Sequence, residues 1–304
     1  MAVTSLQQEN QENLWLAALK PPIYSVAIVP IAVGSAAAYW QTKTLSWPTF
    51  VTFLLAAILT IAWLNISNDV FDSETGIDKH KAHSIVNITG NKSLMFWIAN
   101  ACLAIALAAI AAISWWQQDI TVIGLILLAC ALGYSYQGPP FRLGYQGWGE
   151  IICFFSFGPI AIEAAYYSQA QNFSELALIP ATVVGLTTSI VLFCSHFHQV
   201  EDDLAAGKRS PIVRMGTAQG AVVLSGTTLM VFVLLGVAIG LGALPLWAAV
   251  VFLSAPFGWE LVQFVRQFHD IPSQVRRSKF VAVKLHFISG LLLALGLALP
   301  VYLG

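Results

Sequence analysis

Nine apolar stretches dominate this chain, near residues 22–40, 48–67, 94–113, 119–136, 149–168, 176–197, 219–241, 245–264 and 280–303. Each approaches the roughly 20 residues that a helix needs to cross the hydrocarbon layer of a bilayer. The seventh and eighth are divided only by the break at 240–245. Backbone groups in lipid must be satisfied within the segment, so these stretches read as helices, and the period-2 alternation of a membrane barrel is absent. The expected fold is all-α: a polytopic membrane protein with nine transmembrane helices. Composition points the same way, with 58 % of the 304 residues hydrophobic and 10 % charged, against about 25 % charged in ordinary globular chains. So few charges do not clothe a soluble surface. A soluble enzyme and a disordered chain are excluded, and a net charge of −1 gives no basic footprint for nucleic acid.

Residues 1–13 are polar and Gln/Asn-rich without a basic leading region, which reads as a frayed or interfacial tail and not a secretory signal. Residues 14–304 read as a single membrane domain. Cys102, Cys130, Cys153 and Cys194 all lie in apolar runs and read as small buried hydrophobes without a disulfide framework. Trp15, Tyr39, Trp40, Trp47, Trp115, Trp116 and Tyr302 sit near helix ends as an aromatic belt. With nine spans, 13 of the 14 Lys and Arg residues fall on one side, and only Lys43 lies on the other. The populated side is the cytoplasmic one, or the stromal one in a plastid.

The acidic residues are clustered. Seven of 15 lie in NDVFDSETGID (68–78) and EDD (201–203), both on the basic side. Asn65, Asn68, Asp69 and Asp72 are spaced i, i+3, i+4, i+7, which places them on one stripe of one helix. Carboxylates stacked this way repel, and a bound cation removes the penalty. Hard oxygen ligands in an open cluster suit Mg²⁺, which keeps several waters and is completed by substrate phosphates. His196, Gln199 and Asp203 repeat the spacing i, i+3, i+7 four spans later, as in a worn internal duplication. Each corner is followed by a Gly-containing loop with cations, TGIDK (75–79) and GKRS (207–210), the second leading to Arg214. Carboxylates that hold Mg²⁺ beside Lys and Arg that meet phosphate oxygens make a diphosphate site. One such corner alone would read as a solvated loop; two, matched in spacing and side, read as a site. Arg142 reads equally as a positive-side anchor, and Lys284 and His286 as interfacial side chains. Glu163 lies mid-span, where exposure to lipid is costly, so it faces a cavity or a polar partner.

These residues resemble the UbiA superfamily of intramembrane aromatic prenyltransferases, and within it the 1,4-dihydroxy-2-naphthoate branch of menaquinone and phylloquinone synthesis. The resemblance covers the chain beyond the first dozen residues and rests on LWLAALKPP (14–22), VPIAVGSA (29–36), NDVFDSETGID (68–78), YQGPPFRLGYQGWGE (136–150), FGP (157–159) and EDDLAAGKRSPIVRMG (201–216). Two departures stand out. The superfamily motif NDxxDxxxD has Gly at position 76 here, with Glu74 and Asp78 as nearby replacements. The first Asp of the second motif, DxxxD, is Gln199 here, with Asp202 and Glu201 as substitutes.

The resemblance implies nine helices around a central cavity and a phytyl or other prenyl diphosphate as donor. It further implies 1,4-dihydroxy-2-naphthoate as acceptor, loss of CO₂ and pyrophosphate, and a demethylated phylloquinone precursor as product. It implies metal held by Asp69, Asp72, Asp203 and Asp202, and phosphate met by Lys20, Arg142, Lys208 and Arg214. Asn65, Asn68, His196 and Gln199 would orient substrate. Tyr136, with Tyr134, Phe154 and Tyr166, would face the allylic cation. A multi-pass protein of the cytoplasmic or thylakoid membrane follows, with lipid substrate and product passing through the bilayer. The alternatives are a sister enzyme using homogentisate, 4-hydroxybenzoate or a chlorophyll-type acceptor, and a membrane transporter. A transporter predicts polar residues near the midplane of both halves, whereas here they crowd one face.

Overall fold

A computed structural model describes Trp15, Ala18, residues 20–75, Ile77 and residues 84–303. The apolar runs become α1 (Pro21–Thr42), α2 (Trp47–Thr75), α3 (Lys92–Gln117), α4 (Thr121–Gln137), α5 (Gly149–Ala170), α6 (Glu175–His196), α7 (Thr217–Gly240), α8 (Leu246–Phe268) and α9 (Pro272–Leu303). Among the described residues, eight of these are long and apolar enough to cross a membrane, and α4, with Thr121–Gln137, is the shorter ninth. The break at 240–245 divides α7 from α8, as the sequence indicates. The polar tail 1–13 lies outside the described residues, as do Asp78, Lys79 and Lys81.

Neighbouring helices pack in a closed circuit, α2 on α3, α3 on α4, α4 on α5, and onward through α9, which returns to α1. Two apolar clusters fill it. One unites Phe53, Trp63, Ile110, Ile113 and Ile126 from α2, α3 and α4. The other unites Val184, Leu224, Leu235, Leu261, Leu285 and Leu293 from α6 to α9. α1 and α5 contribute to both, and they meet closely because α1 carries Gly34. A Cβ there would stand 2.6 Å from the Ile162 carbonyl oxygen and 2.7 Å from the Ala165 Cβ. Small residues that let backbones approach are the usual basis of helix association in lipid. In α5, Pro159 has no N–H to give, and the helix widens into a π turn over Ser156–Ile160. The outward faces stay apolar, with Leu55, Ile105, Leu229 and Leu253 exposed, which suits lipid contact and needs no second layer.

The two rims differ chemically. At one, amides and hydroxyls stitch the helix ends: Gln41 to Ser174, Gln169 to Ser46 and Tyr167 to Asp119. Tyr166 belongs here. It is 2 % exposed and donates its hydroxyl to Gln41 at 2.8 Å. It therefore does not face the acidic corners, contrary to the sequence expectation, because α5 carries it about two turns beyond Pro159 toward the opposite rim. The other rim is ionic and contains both corners.

Candidate active site

The first corner is held as the spacing requires. α2 remains helical to Thr75, so Asn65, Asn68, Asp69 and Asp72 share a stripe. The stripe divides between two neighbours. Lys20 donates to Asn65 Oδ1 at 2.8 Å and to Asp69 Oδ1 at 3.1 Å, while the Ile85 N–H donates to Asp69 Oδ2 at 2.9 Å. Asp72 Oδ1 instead accepts from the Tyr145 hydroxyl at 2.8 Å, and Tyr145 also meets Thr75 Oγ1 at 2.8 Å. Glu74, beside the position where the family motif continues, binds Lys92 at 2.8 Å and Arg142 at 2.9 Å. It therefore ties the loop after α4 and the start of α3 to the end of α2.

The second corner departs from a single helical stripe. α6 stops at His196, residues 197–199 turn, and a short helix Val200–Ala205 begins. Glu201, Asp202 and Asp203 occupy the first turn of that helix, where negative charge is favoured. The turn preserves the pairing that the spacing suggests: His196 Nδ1 lies 3.2 Å from Asp203 Oδ2. Lys208 Nζ lies 3.3 Å from Asp203 Oδ1, and His196 Nε2 lies 3.3 Å from Glu150 Oε1. Asp203 is 1 % exposed. Burial pushes its carboxyl up, but the His196 hydrogen bond and the Lys208 charge outweigh this and hold it below the usual carboxylate range. Asp202 and Glu201 are exposed, and Gln199 is partly buried.

Tyr145 joins the corners. Its hydroxyl reaches Asp72, its carbonyl accepts from the Arg209 N–H at 2.7 Å, and the Lys208 ammonium stands 5.9 Å from its ring centroid. Arg214 staples the same junction by donating to the carbonyl oxygens of Arg209 and Gln146. Burial and the Asp72 charge push the Tyr145 phenol well above its ordinary range, so it stays a donor to Asp72. Tyr136, at the end of α4, is near enough to Asp72, Glu150 and Asp203 to feel all three charges. Its ring lies against Gly144 and Gly149, where a Cβ would stand 2.8 and 2.9 Å from Cε2.

The structure thus brings Asn65, Asp69 and Lys20 together, Asp72 with Tyr145, and His196, Asp203 and Lys208 together. Arg142 and Arg214 face Glu74 and backbone carbonyls. Sequence reasoning missed Tyr145 and Glu150, although both lie in the quoted segment 136–150; their only signal is a polar residue in a Gly-rich connection on the basic side. We expect Tyr145→Phe to keep the ring under Lys208 but lower kcat/KM for the donor roughly tenfold or more, the loss typical of one hydrogen bond to a charged group. Initial rates across donor concentrations test this; an unchanged value would remove the hydroxyl from the site.

Does this mouth suit a divalent cation? Glu150 Oε2 is a buried oxygen without a hydrogen-bond donor, and Asp203 Oδ1 faces the Lys208 ammonium at 3.3 Å; hard oxygens of this kind suit Mg²⁺. Among the described residues, no three His, Cys, Asp or Glu side chains converge on one point. The donor set fits an ion shared with phosphate oxygens better than one caged by protein alone.

Comparison with known proteins shows the family. Residues 27–301 match the UbiA prenyltransferase family. The chain belongs to that family. It is 54 % identical over 284 residues to the 2-carboxy-1,4-naphthoquinone phytyltransferase of Synechocystis, covering 93 % of this chain and 92 % of the relative. It is 42 % identical over 291 residues to the chloroplastic 2-carboxy-1,4-naphthoquinone phytyltransferase of Arabidopsis thaliana, covering 93 % and 76 %. Among solved structures, a UbiA homolog from Archaeoglobus fulgidus bound to GPP and Mg²⁺ superposes with a TM-score of 0.61 at 20 % identity, covering 94 % of this chain and 98 % of that one. An apo UbiA homolog from Aeropyrum pernix superposes with a TM-score of 0.69 at 13 % identity, covering 90 % and 96 %. These likenesses confirm the all-α fold. This UbiA-family chain is an integral, multi-pass membrane prenyltransferase.

Proposed function

We propose that the protein transfers a phytyl group from its diphosphate to 1,4-dihydroxy-2-naphthoate at the ionic rim. The naphthoate loses its carboxyl group as CO₂, and pyrophosphate departs. The observation that carries this reading is the Tyr145 junction, through which Asp72 of the first corner and the Asp203–Lys208 pair of the second share one mouth. The names of the Synechocystis and Arabidopsis relatives support the acceptor class and the phytyl donor, and the GPP- and Mg²⁺-bound homolog supports a prenyl diphosphate with a divalent metal. The domain spans residues 14–304, with the ionic rim on the cytoplasmic or stromal side.

Asp72, with Asp203 and Asp202, would hold Mg²⁺. The chemistry such an ion supplies is Lewis-acid neutralisation of the diphosphate oxygens. Lys208 adds positive charge where the leaving group gathers its negative charge; Lys20, Arg142 and Arg214 are the other cations of the rim, held by Asp69, by Glu74 and by backbone carbonyls. Asn68, Gln199 and His196 orient the polar groups of the two substrates. As the C1–O bond of the donor breaks, an allylic cation forms just inside the rim, and Tyr136 presents a π face to it. The electron-rich ring carbon that bears the carboxylate then forms the new C–C bond, and the C–CO₂⁻ bond breaks to restore the aromatic ring. The apolar bundle below the rim excludes water from the cation and takes the prenyl tail, which enters and leaves from lipid.

The test supplies membranes carrying the protein with Mg²⁺, phytyl diphosphate and one acceptor at a time. Labelled lipid should appear with dihydroxynaphthoate alone. Label on homogentisate or 4-hydroxybenzoate instead would move the protein to a sister branch, and no label with any acceptor would overturn prenyl transfer.

A further inference from the structure

We propose that Asp69 is a positioning residue that fastens two chain segments flanking the mouth to α2, so that Asp72 alone of the two motif aspartates faces the diphosphate. The proposal deepens the prenyl-diphosphate reading and rests on it for its kinetic arm only.

Asp69 is 1 % exposed, and both of its oxygens are engaged in opposite directions. Oδ1 meets the Lys20 ammonium at 3.1 Å, in the segment that leads into α1. Oδ2 accepts the Ile85 N–H at 2.9 Å, at the start of the short helix Ile85–Thr89. Asn65, one turn earlier, completes the hold on the first segment, accepting from Lys20 at 2.8 Å and donating to the Ala18 carbonyl at 3.4 Å. The apolar side chains around this point agree. Ala18, Val70, Ile85 and Met95 form a separate buried cluster, drawn from the entry to α1, α2, the 85–89 helix and the start of α3. A carboxylate beneath such a cluster does what a buried, fully paired group does: it fixes a unique arrangement.

Two further observations weigh against a ligand role. Asp203 is held by the side chains of His196 and Lys208, whereas Asp69 Oδ2 is committed to the backbone N–H of Ile85. An ion on Oδ1 at about 2.0–2.1 Å would have to displace the Lys20 ammonium. Lys20 also holds a left-handed backbone, φ +48°, immediately before Pro21. A non-glycine residue stays in that region only when its surroundings determine it, and the bonds to Asn65 and Asp69 provide that determination. The motif stripe therefore has two edges: Asn65 and Asp69 turn toward the flanking segments, and Asp72 turns toward Tyr145 and the second corner.

The experiment compares Asp69→Ala, Asp69→Asn and Lys20→Met with the wild type in nanodiscs. The first reading is hydrogen exchange at the Ile85 amide without metal, and the second is the Mg²⁺ concentration that gives half-maximal prenyl transfer. Asp69→Ala should speed exchange at Ile85 roughly tenfold or more, the loss expected for one hydrogen bond to a charged group. Asp69→Asn, which keeps an acceptor oxygen, should restore much of the protection and of kcat/KM. Both Asp69→Asn and Lys20→Met should keep the wild-type Mg²⁺ half-saturation. Unchanged exchange in Asp69→Ala, or a severalfold rise in the Mg²⁺ requirement of Asp69→Asn, would overturn the proposal. If Asp69→Ala does not assemble, the asparagine and methionine variants decide on Mg²⁺ dependence. If wild-type membranes transfer no prenyl group, the exchange arm still decides the anchor while the functional reading fails.

Discussion

Asp72→Asn is expected to abolish measurable prenyl transfer, a loss of at least about 10²–10³-fold for removing a charge aimed at the leaving group, while the protein still inserts and folds normally. The reason lies in what asparagine keeps. Its amide oxygen still accepts the Tyr145 hydroxyl, which lies 2.8 Å from Asp72 Oδ1, so the junction between the corners survives and only the negative charge is lost. Asp72 is also partly exposed at the rim, so the change opens no cavity in the bundle. The check is turnover per unit of membrane-inserted protein, measured beside thermal unfolding in detergent. Near-normal turnover would show that the first corner is not a metal site, and a collapse of the unfolding temperature would show that Asp72 carries structure instead.

What the sequence reveals depends on the kind of information each element needs. The nine helices are legible because lipid forces each segment to satisfy its own hydrogen bonds, so hydropathy and length decide the outcome locally. The stripe of Asn65, Asn68, Asp69 and Asp72 is legible because α2 stays helical through it, and helical spacing is then a statement about space. At the second corner the same arithmetic misleads. The spacing of His196, Gln199 and Asp203 runs across a turn at 197–199 without glycine or proline to mark it, and the clearest trace is the acidic triplet that opens the following helix. Pairing survives anyway, because the chain folds Asp203 back onto His196.

Tyr145 and Glu150 illustrate the harder case. No period links either to a corner; their roles arise because the connection after α4, which carries Tyr145, and the start of α5, which carries Glu150, run past the mouth. Glu74 and Arg142 are a related example. Read along the chain, Glu74 stands in for a missing motif carboxylate and Arg142 for a phosphate ligand, yet folded they bind each other at 2.9 Å. Charges close in sequence to a site are drawn first to the nearest opposite charge in space, and spacing alone does not rank those options.

The second corner supplies the other large effect. Asp203→Ala should be far more damaging than Gln199→Ala, although both occupy positions of the second family motif. Asp203 is 1 % exposed and lies between His196 at 3.2 Å and Lys208 at 3.3 Å. Removing one member of a buried ion pair typically costs about 3–5 kcal/mol because its partners are left uncompensated, and here a proposed metal ligand goes with it. Turnover should fall by about 10²-fold or more, with a clear drop in unfolding temperature. Gln199 contributes through its backbone: its carbonyl accepts the Asp203 N–H at 2.7 Å, a bond that alanine keeps, so a loss of only a few-fold is expected. The pH dependence adds a signature. The folded-state value of Asp203 is lowered from 3.8, so its stabilisation is complete above the unfolded value and vanishes as pH falls through the folded one. Wild type should therefore lose stability relative to Asp203→Ala as pH falls below about 4. A larger loss for Gln199→Ala than for Asp203→Ala would reverse the assignment of the second corner, because a neutral amide would then be doing what the paired carboxylate is positioned to do.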